Sequence, residues 1–195
     1  MFNLLALLEA AGYVGLVGII FAESGLFFGF FLPGDSLLFT AGFLASRGFF
    51  SLPMLLSLVV VAAVAGDSVG YWFGNKIGPM IFIRPDSFWF SHARVEQARL
   101  FFERKGGMSI LLARFIPAVR TFTPIIAGVA NMRYAKFLAY NVIGGTLWGV
   151  GMTLLGFFLG NAIPGIDNYI IVFAVLIALV SFLPIVWEIV HTKKK

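Results

Sequence analysis

Two arginines, Arg114 and Arg120, stand in a stretch otherwise fit for a lipid bilayer: between Ser109 and Met132 they are the only ionisable side chains. A charge at membrane depth costs at least about 2.5–3.5 kcal/mol on insertion scales, so it is tolerated where it has a partner and is a functional residue by default. Candidate partners lie upstream. Glu23 and Asp35 occupy a second apolar run, FAESGLFFGFFLPGDSLLFTAGFLA, around a Pro33-Gly34 break. A guanidinium grips carboxylate or phosphate as a planar, permanently charged fork. Arg114 and Arg120 are therefore candidate phosphate-binding groups. Glu23 and Asp35 are candidate ion-pair partners, and either can carry a coupling proton, because burial and a neighbouring arginine act on an acid in opposite directions. The alternative is that the four only fix the packing. Buried ion pairs often give little net stability, which leaves that role poorly motivated. Asp67, in AGDSVGYWFG, is an accessory candidate, suited equally to pairing with an arginine or capping a backbone. The four charges read as the polar centre of a small membrane transporter.

The rest of the composition agrees. Of 195 residues, 60% are hydrophobic and only 12% charged, with a mean hydropathy of +0.97. Soluble domains carry about 25% charged residues. The length suits one domain, residues 1–195. With no cysteine there is no disulfide, thiolate metal site or cysteine nucleophile. The first twenty residues lack a basic leader and carry Glu9, which reads as a retained helix more than a cleaved signal. Eleven of the 14 basic residues fall in three places: the segment 73–107, the pair Arg133 and Lys136, and the terminal Lys193, Lys194 and Lys195. Basic loops face the cytoplasm, so these three should lie there. A nucleic-acid surface is disfavoured, because the charges flank apolar spans and no stacking surface accompanies them.

The elements that must position the charges follow from length. Four segments, about 4–22, 52–72, 137–160 and 169–187, reach the roughly 20 residues that a bilayer requires. Two more apolar segments, about 24–46 and 108–130, are interrupted by Pro33 and Gly34 and by Pro117 and Pro124. If both crossed fully, the basic loops would divide between the two faces. Read as re-entrant helical hairpins, one from each side, they leave both termini and the basic loops cytoplasmic. The expected fold is an all-α membrane protein of about four transmembrane helices plus two facing hairpins in an inverted repeat. Non-helical backbone at membrane depth survives only inside protein or beside water, and transporters use such breaks to build midplane sites. Pro117 cannot donate to the carbonyl of Ala113, so freed backbone groups are expected beside the guanidiniums. Gly66, Gly70, Gly74 and Gly78 recur every four residues as a close-packing face, within one chain or between copies in a homo-oligomer. Residues 86–105 mix aromatic and basic side chains, with Ser91 as N-cap, and read as a helix on the inner membrane surface. Asn141, Thr146 and Trp148 read as packing and interface groups.

Enzyme readings do not find their parts. His92 and His191 are the only histidines, and neither offers a metal pair or triad. There is no P-loop or G-x-G-x-x-G motif. The expectation is no enzyme, no metal and no cofactor.

At these motifs the chain resembles the DedA family, also called the SNARE-associated or VTT-domain family. The carrying segments are the Glu23–Asp35 run, GDSVGYWFGNKIG, and FFERKGGMSILLARFIPAVRTFTPIIAGVANMRYAKFLAYNVIGGTLWG, spanning roughly residues 22–149. The resemblance implies a bacterial inner-membrane protein with two facing re-entrant hairpins. Its essential acids fall on Glu23 and Asp35 and its essential arginines on Arg114 and Arg120. It also implies lipid transport, as flippase or scramblase, of undecaprenyl phosphate or a phospholipid, with dependence on the proton motive force. The expected partners are therefore membrane lipids and protons, and no nucleic acid. Two other readings stand beside it: a proton-dependent antiporter of small cationic solutes or drugs, and a non-transporting scaffold that recruits partners through residues 86–105.

Overall fold

The structure, a computed structural model, describes residues 4–25, 34–81, 100 and 107–162. Among them are six helices and no strand: α1 (Leu4–Gly25), α2 (Gly34–Ser46), α3 (Leu52–Ile81), α4 (Met108–Ala113), α5 (Pro117–Val129) and α6 (Tyr134–Ala162). The spans expected at 4–22, 52–72 and 137–160 fall on α1, α3 and α6. The fourth, 169–187, lies outside the described residues, as do most of the surface segment 86–105, Pro33, and the basic C-terminus.

Helix length separates two kinds of element. Apolar stretches of 27 and 29 residues in α3 and α6 are long enough to cross a membrane. By contrast α2 and α5 have 13 residues each. At 1.5 Å per residue each is about 20 Å long, short of the roughly 30 Å hydrocarbon core.

The short helices end by the same device. After α2, the amide of Gly48 donates to Ala45 O at 3.1 Å and that of Phe49 to Leu44 O at 3.0 Å, with Gly48 at φ +79°. After α5, the amide of Asn131 donates to Gly128 O at 2.9 Å and that of Met132 to Ala127 O at 3.0 Å, with Asn131 at φ +54°. Both are Schellman endings, which close orphan carbonyls with one left-handed residue, a task suited to Gly or Asn. Each ending feeds directly into a long helix, α3 or α6. A tyrosine clasps each turn. The Tyr13 hydroxyl accepts the amide of Ser51 at 2.7 Å, and the Tyr71 hydroxyl donates to Met132 O.

The halves then exchange partners. The most extensive pairings are α2 with α6 and α5 with α3, so each short helix lies on the long helix of the other half. Glycines make both seams. A side chain at Gly42 would run into Thr153 O, and one at Gly156 into Phe39 O. At the other seam Gly128 faces Tyr71 O and Gly74 faces Ile125 O. In all four helices the glycine sits three residues beyond the residue whose carbonyl is met, so Phe39-x-x-Gly42 on Thr153-x-x-Gly156 repeats as Ile125-x-x-Gly128 on Tyr71-x-x-Gly74. Small residues let backbones approach where lipid supplies no hydrophobic drive between helices. The Gly66–Gly78 face is thus occupied within the chain: Gly66 meets α1 at Phe21 O, while Gly74 and Gly78 meet α5.

Pro124 corrects one expectation. It lies inside α5, which runs unbroken to Val129, so the break in this segment is at residues 114–116. Pro117 takes the first position of α5, where its missing amide proton costs nothing. The Ala113 carbonyl that a helical residue 117 would have met instead accepts the amide of Ile116 at 3.1 Å. That carbonyl is not left free, contrary to the reading from sequence.

Burial is inverted relative to a soluble domain. Val14, Val61, Trp72, Leu147 and Phe158 are more than half exposed, whereas Glu23, Asp67, Arg114 and Asn141 are buried. An apolar exterior around a polar interior suits a bilayer, where charged side chains face the bundle.

Candidate ion-pair site

Four of the five charged residues enter the interior from a helix end, and Asp67 from the middle of α3. Glu23 lies in the last turn of α1, pressed against Gly34 so closely that a methyl group there would overlap its carboxylate. Asp35 is in the first turn of α2, where the helix dipole favours an anion. Asp67 follows Gly66 on α3. Arg114 is the C-cap of α4, and its own amide donates back to Leu111 O. Ile116 is extended (φ −114°, ψ 107°), as the residue before a proline prefers, and this re-aims the chain so that Arg120 falls in the first turn of α5. A cation there opposes the helix dipole, so Arg120 depends on acids from elsewhere.

Those acids are Glu23 and Asp35. Arg120 Nη1 donates to Asp35 Oδ1 at 2.7 Å and Arg120 Nη2 donates to Glu23 Oε1, so one guanidinium bridges both carboxylates. Arg114 does not join them. It pairs with Asp67, and its Nη1 also donates to Asn141 Oδ1 at 2.8 Å. Asn141 Nδ2 in turn donates to Val64 O at 3.2 Å. The sequence-level pairing of two acids with two bases is therefore one arginine on two acids, with Asp67 answering the other arginine.

Trp148 joins the two groups. Its indole nitrogen donates to Asp35 Oδ1 at 2.7 Å, the same oxygen that Arg120 holds. The guanidinium carbons of Arg120 and Arg114 lie 4.6 and 5.4 Å from its ring centroid, within the range of cation–π attraction. Gly144 and Gly145, four and three residues before it, line Arg114. Asn141 and Trp148, read from sequence as packing and interface groups, belong to the site. The available signal was their spacing: seven residues is two helical turns, which puts both on one face of α6 with the two glycines between. Thr146 makes no side-chain hydrogen bond or ion pair with this cluster.

The five charged groups do not balance. Three acids face two arginines, an excess of one negative charge. Two buried atoms also have no hydrogen-bond partner among the described residues, Glu23 Oε2 and Arg114 Nε. One is an unfilled acceptor and the other an unfilled donor. Buried polar groups are ordinarily satisfied, so Arg114 Nε marks a place for a further acceptor, while Glu23 Oε2 is packed against Gly34.

The VTT domain family matches residues 32–158, which includes Asp35, Asp67, both arginines, Asn141 and Trp148. The chain is 45% identical over 166 residues to the uncharacterized membrane protein ML0287 of Mycobacterium leprae, covering 85% of this chain and 74% of that protein. It is 43% identical over 184 residues to the protein DedA of Escherichia coli, covering 93% and 84%. To the inner membrane protein YqjA of Escherichia coli it is 37% identical over 156 residues, covering 76% and 68%. No solved structure matches the chain. Family match and relatives agree with the apolar exterior and the buried charges: the chain belongs to the VTT-domain family of membrane proteins that includes DedA.

Proposed function

We propose that this protein carries a phosphate-bearing lipid, undecaprenyl phosphate or a phospholipid, across the bacterial inner membrane. Arg114 and Arg120 bind the phosphate, and Glu23 and Asp35 couple the movement to protons. In this reading α2 and α5 belong to hairpins that enter from opposite faces, and both termini are cytoplasmic. The observation that carries it is the pair of arginines against the Trp148 ring, of which Arg114 is buried and has an unfilled Nε–H donor. A guanidinium with an open donor in an apolar bundle is a site for an anion. The exchanged pairing of short and long helices supports a repeat whose halves can rock against each other around a fixed centre.

The excess of one negative charge favours a second reading, the proton-dependent antiporter of small cationic solutes or drugs. There Glu23 and Asp35 bind the cation and the arginines gate it.

One experiment separates the two. Purified protein is reconstituted in liposomes, and trans-bilayer movement of a labelled polyprenyl phosphate and a labelled phospholipid is followed with and without a pH gradient. Movement that disappears in Arg114→Ala and Arg120→Ala supports lipid transport, and a gradient dependence supports proton coupling. Full transport by both variants sinks the lipid reading. Proton flux that depends on added organic cations, with no lipid movement, supports the antiporter.

A further inference from the structure

The two acids on Arg120 are held differently. Asp35 lies in the first turn of α2, its side chain is 13% exposed, and its Oδ1 receives the Trp148 indole as well as Arg120. Glu23 is 2% exposed; its Oε1 accepts from Arg120 Nη2, and the backbone of Gly34 at the start of α2 lies against its carboxylate. Its other oxygen, Oε2, has no partner among the described residues. The charged groups facing Glu23 are Arg120 from α5, Asp35 from α2 and Arg114 from the end of α4. Arg114 at the end of α4 and Asp67 on α3 hold each other, and α6 contributes only the uncharged Asn141 and Trp148.

Arg120 gives one N–H of each outer nitrogen to a carboxylate, and a phosphate that takes the same two N–H groups displaces both acids. An anion that draws Arg120 away strands the acids unequally. Asp35 retains the Trp148 indole donor, whereas the more deeply buried Glu23 keeps only the Gly34 backbone beside it. A buried carboxylate without a partner neutralises by taking a proton. We infer that Glu23, and not Asp35, is the acid that takes up a proton when Arg120 is engaged, and that Trp148 makes the difference by holding Asp35 as the anion. The inference rests on the reading that a phosphate competes for Arg120. The proton comes from water and forms an O–H bond on the Glu23 carboxyl. When Arg120 returns, that bond breaks and the proton goes back to water. Trp148 is thus a positioning residue. It acts through Asp35 and sets how many protons move.

Two arms test this, on full-length protein in detergent checked by size-exclusion chromatography. The first needs no lipid. In R120Q, difference infrared spectra at neutral pH should show one protonated carboxyl band that is absent from R120Q/E23Q and retained in R120Q/D35N. Adding W148F to R120Q should raise a second band that D35N removes, which a merely structural tryptophan would not do. If R120Q does not stay monodisperse, R120M, which also removes the cation, is read in its place. No band, or a band lost with D35N and kept with E23Q, overturns the inference. The second arm titrates the wild type with dihexanoyl phosphatidylglycerol, whose phosphodiester does not titrate near neutrality. Affinity should rise up to about tenfold for each unit fall in pH, as one-proton linkage requires. E23Q should bind without this slope and D35N should keep it; the opposite pattern overturns the inference. If the wild type binds no lipid while the first arm reads as expected, the phosphate reading falls and the assignment of the acids stands.

Discussion

Asp35 and Trp148, 113 residues apart in the chain, meet through a 2.7 Å hydrogen bond from the indole nitrogen to Oδ1. Arg120 Nη1 reaches the same oxygen at 2.7 Å. One atom of α2 is therefore the joint between α5 and α6, and it ties the site to the seam on which the two halves exchange helices. Any movement of α5 relative to α6 is felt at Asp35.

The first prediction concerns Arg120. Arg120→Lys keeps a cation but loses the fork that spans Glu23 and Asp35. Protein should still reach the membrane, and transport should fall by about tenfold or more, the equivalent of ~1.4 kcal/mol. Flux assays in proteoliposomes at matched protein content check this. Wild-type rates in Arg120→Lys would show that bridging both acids is unimportant.

Asp67 and Arg114 should be coupled in stability. Asp67→Ala leaves a buried arginine with Asn141 alone and should cost about 3–5 kcal/mol. Arg114→Ala should cost a similar amount, by leaving the acid. The double variant should be less damaged than the sum, by an interaction of about 0.5–3 kcal/mol. Thermal unfolding in one detergent gives all four corners of the cycle, and simple additivity would rule the pair out.

Glycine substitutions should sort by seam. A Cβ at Gly74 or Gly156 would run into backbone of the facing helix, whereas Gly15, Gly18 and Gly151 have nothing within 4 Å. Gly156→Ala and Gly74→Ala should lower the melting temperature clearly. Gly151→Ala should hold it or raise it, because a helical glycine costs roughly 0.5–1 kcal/mol relative to alanine. Equal losses at all of these positions would contradict the exchanged seams.

The two Schellman endings give a matched pair. Gly48 stands at φ +79° with open space around it, so Gly48→Ala meets backbone strain alone and should cost about 1 kcal/mol. Asn131→Gly should be close to neutral on backbone grounds, less what is lost with the Asn75 Nδ2 contact to Asn131 Oδ1 at 3.1 Å. Urea titration of either variant in mixed micelles reads the difference.

Much of this molecule is legible along the chain. The apolar runs place α1, α3 and α6, and in α3 and α6 they are long enough to cross a membrane. The four central charges stand out for the same reason, since lipid makes each of them expensive. The proline at 117 marks a real boundary. Pro124 looked equivalent and is not. A proline removes one hydrogen bond but does not by itself end a helix whose neighbours hold it in place, and here Gly70 and Gly74 of α3 lie against Pro124 and Ile125.

What the sequence alone determined is the inventory: three acids, two arginines, glycines at fourfold spacing, and the lengths of the elements that carry them. Which acid meets which arginine was decided only by the tertiary structure. Ion pairs carry no register of their own, since any carboxylate satisfies any guanidinium. The choice is made by backbone seams, where Gly74 and Gly128 bring α5 onto α3 and Gly42 and Gly156 bring α2 onto α6. Those seams deliver Arg120 to Glu23 and Asp35, leave Arg114 to Asp67 and Asn141, and set Trp148 against both arginines. Such contacts arise from the close approach of distant backbones, which spacing along one chain does not encode.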